Sequence, residues 1–242
     1  MNKSENFAID EPKEKEKKRQ NPTEYYVKFS FIITYILLLT TGTITFIEAM
    51  RTQVPAVRHI MNIETCISVV AGYFYSVFVE KIEDFSKNDK PIDWADITIT
   101  RYIDWSITTP MMLLVLCLVL GQNTNTSVKL PVIGSIIILN YMMLFIGYLG
   151  ETATLDHQFA MIAGFIPFIL MFGIIFMTFV KPKYVFANYA LFSVFVSIWT
   201  VYGIAYMFNE EYKNIVMNIL DCMAKCFVGL GLWAYYTKIV TI

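Results

Sequence analysis

The chain has 242 residues, of which 56% are hydrophobic and 16% are charged, and 19 basic and 20 acidic side chains leave a formal net charge of -1. A soluble domain typically has about 25% charged residues, so this composition argues against a soluble enzyme, a disordered protein and a secreted disulfide scaffold. The near-zero net charge argues against a nucleic-acid partner. Because eleven of the charges lie between Lys3 and Arg19, the rest of the chain has long uncharged stretches, which indicate an integral membrane protein.

The first segment, residues 1–23, mixes lysine and glutamate with almost no aliphatic side chains. Such a segment cannot bury enough apolar surface to offset the entropy that is lost on ordering. We therefore expect a flexible charged N-terminal tail, followed by one domain over residues 24–242.

Seven apolar runs follow, each near the roughly 20 residues that a helix needs to cross a bilayer. Short polar loops separate them, so consecutive helices must be antiparallel neighbours. We predict an all-α membrane protein, a bundle of seven transmembrane helices without an internal repeat. The predicted spans are about 25–49, 59–79, 97–120, 131–149, 159–180, 185–208 and 215–239.

The lysines and arginines of the loops predict the orientation. If Glu48 and Glu151 belong to span ends, the loops after spans one, three and five and the C-terminus have no acid. Their basic residues are Arg51, Arg58, Lys129, Lys181, Lys183 and Lys238. The alternate loops are mostly acidic. Because basic loops stay in the cytoplasm, we expect the N-terminus outside and the C-terminus inside.

Five ionisable residues lie inside the predicted spans, where each costs about 2.5–3.5 kcal/mol at a helix centre. They are Glu64, Arg101, Asp104, Asp221 and Lys225. Such residues face the bundle interior and pair, either to hold helices together or to perform a function. Arg101, Asp104 and Thr108 share one face of the third span, and Asp221 and Lys225 lie four residues apart on the seventh.

Two carboxylates beside a lysine at mid-membrane depth indicate a site that keeps a cation, because a lone buried lysine tends to lose its proton. A lysine held in this way can also form a Schiff base with a carbonyl ligand. A protonated Schiff base with carboxylate counter-ions is what a retinal pigment requires.

Residues 101–110 (RYIDWSITTP) resemble the third-helix signature of microbial (type I) rhodopsins, and residues 221–225 (DCMAK) resemble their seventh-helix attachment site. The resemblance covers about residues 25–240. It implies a seven-helix bundle around all-trans retinal, which is linked to Lys225 as a Schiff base. It also implies Asp104 and Asp221 as counter-ions, with Asp104 as the proton acceptor, and Arg101 as the gating or release residue toward the outside.

The resemblance further implies a retinal pocket. The implied residues are Tyr102, Trp105, Thr108, Thr109, Met112, Asn140, Met143, Gly147, Trp199, Tyr202 and Tyr206. Gly203 stands where the family usually has proline, and Tyr206 where it often has tryptophan. The fifth helix lacks the usual tryptophan, so no residue is carried over there. The four cysteines lie inside spans and are expected to be packing residues, and no metal site is predicted.

The cytoplasmic half of the third helix bears on function. In outward proton pumps of this family a carboxylate lies seven residues after position 108, where this chain has Val115. Glu64 is a candidate replacement as internal proton donor, because a carboxyl in apolar surroundings favours its protonated form. Alternatively, Glu64 reaches the membrane interface as a helix-end residue.

Glu48, Arg58, residues 62–64 and Trp233 together resemble rhodopsins of giant algal viruses. One group of these has a second-helix glutamate near the missing donor and is associated with pentamers, and another group conducts cations. We therefore expect a homo-oligomer, a pentamer or a trimer, in the lipid bilayer.

The leading hypothesis is a light-driven outward proton pump, a transporter and not an enzyme, with Glu210 and Glu211 either on the release route or simply solvated. A second hypothesis is a light-gated cation channel lined by polar residues of four helices. These residues are Thr34, Thr41, Thr45, Glu64, Ser68, Asn214 and Asn218. A photosensor and a light-independent seven-helix receptor are also compatible with the sequence.

Overall fold

A computed structural model describes residues 22–88 and 90–239 of the chain. This part contains seven helices that are long and apolar enough to cross a membrane, which confirms the predicted all-α bundle. The helices are α1 (Pro22–Arg51), α2 (Pro55–Lys87), α3 (Trp94–Thr124), α4 (Leu130–Glu151), α5 (His157–Val180), α6 (Phe186–Ala205) and α7 (Glu210–Tyr236). Apart from its last two positions, the expected tail over residues 1–23 lies outside the described residues.

Polar side chains in the loops decide where two of the functional helices begin. The Asp93 carboxylate accepts a hydrogen bond from the backbone N–H of Asp96, and the Asn209 side chain accepts one from the N–H of Tyr212. Such caps satisfy N–H groups that have no partner within the helix. As a result, α3 and α7 begin before the apolar spans that the sequence predicts, and they extend past the hydrocarbon.

Helices α3 and α7 form the centre of the bundle. In the most apolar 18-residue stretch of each of these helices, 61% is buried inside the protein, against 17% in α4. Helix α1 packs against α2 and α7, and α4 packs against α5. The ionisable residues of α3 and α7 are therefore held in the interior, away from lipid.

The outer surface of the bundle is apolar. Large hydrophobic side chains such as Ile138, Phe145, Ile166 and Ile169 are exposed on the outer faces of α4 and α5. An apolar surface of this extent requires a lipid environment. The chain is thus an integral multi-pass membrane protein, while its orientation across the bilayer stays a prediction.

Candidate functional site

Lys225 lies in the middle of α7, within a π-helical segment over Cys222–Phe227, and is 1% exposed. Its Nζ donates hydrogen bonds to Asp104 Oδ2 at 2.7 Å and to Asp221 Oδ2 at 3.3 Å. Both carboxylates are fully buried. Single π turns are frequent at functional sites, and here the wider turn contains the lysine itself. The fold brings the lysine and its two expected counter-ions together.

Arg101 joins this cluster from α3. Its Nη1 lies 3.7 Å from Asp221 Oδ2, and its Nη2 donates to Asn214 Oδ1 at 2.9 Å and to Asn218 Oδ1 at 2.8 Å. The guanidinium also lies over the Phe78 ring, 5.1 Å from its centroid. Two cations and two carboxylates thus form a buried cluster that is neutral as a whole, which is how charges are tolerated at this depth.

The two carboxylates differ in their partners. Asp221 accepts hydrogen bonds from Tyr75 Oη at 2.8 Å, Tyr202 Oη at 2.5 Å and Trp105 Nε1 at 3.4 Å, in addition to Lys225. Asp104 Oδ1, by contrast, is buried without a hydrogen-bond partner in the part of the chain that the structure describes. Asp221 is therefore the carboxylate with more hydrogen-bond donors, whereas the negative charge of Asp104 is stabilised mainly by Lys225.

An apolar cavity between α3, α4, α5, α6 and α7 adjoins Lys225. Nine of the eleven expected pocket residues line it, namely Tyr102, Trp105, Thr109, Met112, Met143, Gly147, Trp199, Tyr202 and Tyr206. Thr108 and Asn140 are not among the lining residues, and their place in the pocket stays a prediction. The Thr108 hydroxyl donates to the Asp104 carbonyl, and the Asn140 amide donates to Thr109 Oγ1, so Asn140 lies behind a lining residue.

The sequence reasoning missed the part of the cavity wall that α5 supplies. This wall consists of Ala160, Met161, Gly164, Phe165 and Phe168, and further contacts come from Leu144, Gly203 and Met217. Because α5 lacks the family's usual tryptophan, the resemblance could not assign pocket residues to this helix. Spacing could have found the wall, because residues 160, 164 and 168 repeat every four positions and lie on one helical face.

Gly203 and Phe165 form a matched pair between α6 and α5. A Cβ atom at position 203 would lie 2.5 Å from Phe165 Cζ, which is closer than atoms can approach. The phenylalanine ring therefore occupies the space that a side chain at 203 would need. This contact explains why a residue as small as glycine stands where the family usually has proline.

Tyr206 closes the cavity near the end of α6. Its hydroxyl donates to the Gly147 carbonyl at 3.0 Å, and its ring stacks on His157 with the ring centroids 4.0 Å apart. A His157 ring nitrogen, Nε2, lies 3.0 Å from the Tyr206 carbonyl. The tyrosine that replaces a common tryptophan is thus held by both α4 and α5.

A second ion cluster, built around the buried Lys213, lies at the end of the bundle nearest Arg101. Lys213 Nζ lies 2.8 Å from both Glu151 Oε2 and Glu210 Oε1, and the lysine is 3% exposed. Asn214, which accepts from Arg101, donates to the Glu210 carbonyl at 2.9 Å. Glu151 is the last residue of α4, as the sequence analysis assumed, and the fold also pairs its side chain with Lys213 across 62 positions.

Glu64 lies in the third turn of α2 and is 3% exposed, so it does not reach the membrane interface. A Cβ built on Gly229 of α7 would lie 3.0 Å from Glu64 Oε2. The carboxyl therefore points into the bundle, one helical turn beyond Lys225 and on the opposite side from Arg101. Within residues 22–88 and 90–239 it forms no ion pair.

Glu48, Arg58, residues 62–64 and Trp233 are the residues that resemble viral rhodopsins. Within the described residues, their side chains form no hydrogen bonds with one another. Arg58 Nη2 donates to the Thr52 carbonyl at 2.8 Å and is exposed, while Glu48 and Trp233 are partly exposed. Arg58 therefore lies on the outer surface, whereas Trp233 packs against the buried core and Glu64, from the same set, is buried.

Comparison with known proteins agrees with this geometry. A family model described as bacteriorhodopsin-like protein matches residues 26–239. The green-light absorbing proteorhodopsin of a gamma-proteobacterium is 23% identical over 235 residues, which cover 88% of this chain and 87% of that protein. The bacteriorhodopsin of Halobacterium salinarum is 29% identical over 200 residues, which cover 76% and 68%.

A solved structure extends the likeness to a viral protein. The crystal structure of viral rhodopsin OLPVRII is 42% identical in sequence and superimposes with a TM-score of 0.82. The match covers 89% of this chain and 99% of that one. Both the fold and the arrangement of helices are therefore shared along nearly the whole described length.

Proposed function

Because the chain belongs to the bacteriorhodopsin-like family of microbial rhodopsins and resembles a viral rhodopsin, we propose that it is a light-driven outward proton pump. The observation that carries the proposal is the 2.7 Å contact between Lys225 Nζ and Asp104 Oδ2 inside a neutral buried cluster. A proton on Nζ has a direct acceptor there, and neither group is open to water.

The residues around Lys225 fit a retinal chromophore. The cavity is walled by aromatic and aliphatic side chains, and the lysine and Asp221 are among its few charged neighbours. This combination suits a long apolar molecule with one reactive carbonyl. When bound to Lys225 Nζ, all-trans retinal supplies absorption of visible light and a change of shape that displaces Nζ from its resting contacts.

Asp104 is the proposed acceptor of the Nζ proton. Protonation of Asp221 would sacrifice three charge-assisted hydrogen bonds from Tyr75, Tyr202 and Trp105. Asp104 has Lys225 as its partner and one oxygen without a hydrogen bond. A proton on that oxygen therefore forfeits fewer stabilising contacts.

The outward half of the route begins at Arg101. Its contact with Asn214 leads to the backbone carbonyl of Glu210, whose side chain belongs to the ion cluster with Lys213 and Glu151. Two carboxylates around one lysine leave a single excess negative charge, so this cluster can hold one proton. We infer that it releases a proton when Arg101 shifts in response to protonation of Asp104.

The inward half of the route begins at Glu64, which lies on the other side of Lys225. Its burial, without an ion pair in the described part, supports a protonated carboxyl at rest. After Nζ has given its proton to Asp104, Glu64 is the proposed donor that restores it. Glu64 then recovers a proton from the cytoplasm.

Photocurrents under voltage clamp test the pump. We expect outward current that persists against the proton gradient at every voltage in the wild type. Asp104→Asn should abolish it. The matched variant Asp96→Asn should retain it, because Asp96 lies in the first turn of α3 and pairs with Lys81. Current that reverses with the ion gradient would contradict the pump.

A light-gated cation channel is the second candidate. The observation in its favour is that all seven polar residues predicted to line a pore are buried between helices. Those residues are Thr34, Thr41, Thr45, Glu64, Ser68, Asn214 and Asn218. The voltage clamp separates the two functions, and a complete absence of current would favour a photosensor.

We also propose a homo-oligomer, a pentamer or trimer, with the N-terminus outside and a flexible tail over residues 1–23 ahead of the domain over residues 24–242. Similarity to viral rhodopsins supports the oligomer, and the basic loops support the orientation. The mass of the detergent complex and labelling of the tail in intact cells test both.

A further inference from the structure

Within the described residues, two hydroxyl groups near Glu64 are buried without a hydrogen bond. They belong to Thr41 of α1 and Ser68 of α2, and both side chains are fully buried. Buried hydroxyls nearly always have a partner, either protein or ordered water. Neighbouring threonines on α1 show the usual solution, since Thr43 donates to the carbonyl four residues earlier.

Both residues lie beside the proposed donor. Ser68 lies one turn after Glu64 on the same face of α2. A Cβ on Gly229 would lie 3.0 Å from Thr41 Cγ2 and equally 3.0 Å from Glu64 Oε2, so the threonine and the carboxyl meet at this glycine. Gly229 is one turn beyond Lys225 on α7. The three helices thus converge on a small polar region between the donor and the lysine.

The thiol of Cys226 completes this region. Cys226 is fully buried, and its thiol lies close to the Thr41 hydroxyl. A thiol is a weak donor and a weak acceptor, so it is a poor partner for the threonine. The hydroxyl stays available to an internal water molecule, which is the usual partner of such a group.

The polar stripe of the three helices is divided into two parts. Toward Arg101, its members are bonded to one another, since Thr34 Oγ1 contacts Cys222 Sγ at 3.1 Å and Asn218 donates to Ser30 Oγ at 2.9 Å. Toward Glu64, the hydroxyls of Thr41 and Ser68 are unbonded within the described residues. Unbonded hydroxyls that occur only on the Glu64 side of this row of polar residues suit a short proton relay better than a continuous pore.

We propose that the hydroxyls of Thr41 and Ser68, joined by internal water, relay the proton from Glu64 to Lys225 Nζ, and that Gly229 positions the Glu64 carboxyl at the start of the relay. The proposal rests on the pump function and on Glu64 as donor. Each hydroxyl or water accepts a proton on its oxygen and passes its own hydrogen to the next acceptor. Glu64 loses one proton, Nζ gains one, and the relay groups are unchanged.

The test measures how fast Nζ is reprotonated after a light flash, at several pH values. Thr41→Val and Ser68→Ala remove one hydroxyl each, and their matched controls are Thr43→Val and Ser76→Ala, at exposed positions on the same two helices. We expect the double variant Thr41→Val with Ser68→Ala to slow reprotonation at least about tenfold. Its rate should then follow the external proton concentration, because protons must enter from bulk water. Thr41→Ser should restore the rate.

Gly229→Ala tests the positioning role. The added Cβ should displace the Glu64 carboxyl and slow reprotonation without moving the absorption band, whereas Gly231→Ala should have no effect, because nothing lies within 4 Å of a Cβ there. Wild-type rates in Gly229→Ala would overturn this part of the proposal.

Glu64→Gln separates the two ways of failing. If Glu64→Gln reprotonates at the wild-type rate, Glu64 is not the donor and the proposed function loses its inward step. If Glu64→Gln is slow while the Thr41→Val and Ser68→Ala double variant keeps the wild-type rate and pH independence, Glu64 is the donor and the relay is wrong. A visible absorption band in each variant shows that it has folded around the pigment.

Discussion

Two aspartates beside Lys225 share a side chain and differ in their surroundings. Asp221 is surrounded by donors from three other helices, whereas Asp104 is bonded to the lysine and has a second oxygen without a hydrogen bond in the described residues. Hydrogen-bond donors stabilise an anion in a low-dielectric interior far more than in water. The division of labour between acceptor and fixed counter-ion therefore follows from the partners of each carboxylate.

Neutralising each aspartate should have a different effect. Asp104→Asn removes the negative charge nearest Nζ, so the positive charge there is less stabilised in the dark, and we expect the visible absorption band to move to longer wavelength. Acidification of the wild type should produce the same shift, since it protonates the same carboxylate. Asp221→Asn should instead weaken the protein, because Arg101 loses its buried partner, at a cost of about 3–5 kcal/mol.

Absorption spectra and thermal bleaching measure these two outcomes. The assignment would be overturned if Asp221→Asn shifted the band with intact stability while Asp104→Asn bleached early.

Lys225 provides a second prediction at this scale. Lys225→Ala should form no visible pigment with added retinal, because the amine that the cavity offers is gone. Lys81→Ala is a suitable control, since this lysine pairs with Asp96 outside the cluster, and it should form pigment normally. A visible band in Lys225→Ala would show that the attachment site lies elsewhere.

At the scale of elements, α5 and α6 fit each other through Phe165 and Gly203. The ring of Phe165 occupies the space beside a glycine that stands in place of the family's proline. Close packing makes such a pair sensitive to even one added carbon. Helix α5 thus contributes to the cavity wall by shape rather than by an indole ring.

Gly203→Ala should overpack this contact. We expect a loss of stability of about 1–3 kcal/mol, because Phe165 must leave its position, together with a shift of the absorption band. Gly173→Ala, at a position where nothing lies within 4 Å of a Cβ, should change neither. In a Phe165→Ala background the space beside position 203 is free, so Gly203→Ala should cost much less there, and independent effects in this double-mutant cycle would contradict the pairing.

At the scale of the whole molecule, the cluster of Glu151, Lys213 and Glu210 ties α4 to the beginning of α7. The lysine is buried, and both contacts measure 2.8 Å. Through Asn214 the cluster is also connected to Arg101 and hence to the centre of the bundle. One end of the molecule is therefore closed by charge pairing rather than by apolar packing.

Lys213→Met should leave the buried Glu151 carboxylate and the more exposed Glu210 carboxylate without their cation. We expect a loss of about 3–5 kcal/mol, and the loss should shrink as the pH falls, because protonation removes the unpaired charges. The exposed Lys87, which pairs with Glu83 on the surface, offers the control Lys87→Met, with an expected effect of about 0–1 kcal/mol. Equal melting temperatures for the two variants would contradict a structural role for the cluster.

Much of the architecture could be predicted without coordinates. Seven apolar runs predict seven spanning helices because lipid requires every backbone group to be bonded within its own helix. The cost of a buried charge likewise singles out Lys225, Asp104 and Asp221, and helical spacing places them on inward faces. These inferences depend on local pattern alone, and the fold and the charged cluster agree with them.

Other features depend on which helices meet. The pairing of Glu151 with Lys213, the contact of Phe165 with Gly203 and the meeting of Glu64 with Thr41 at Gly229 join residues that are distant in the chain. Composition and motif spacing have no information about such contacts. The sequence analysis therefore placed Glu151 correctly at a helix end but without its partner Lys213, and it left α5 without a role.

The amino-acid sequence by itself determined the membrane-spanning bundle and the charges at its centre. A charged residue within a long apolar run is costly in hydrocarbon whatever its neighbours in space, so the sequence alone identifies it. Only the tertiary structure decided how those charges differ from one another. Hydrogen-bond donors from α2, α3 and α6 surround Asp221 and leave Asp104 to the lysine. The roles proposed for Asp104 as proton acceptor and Glu64 as proton donor depend on the side chains that surround them, and those contacts form only when the helices pack.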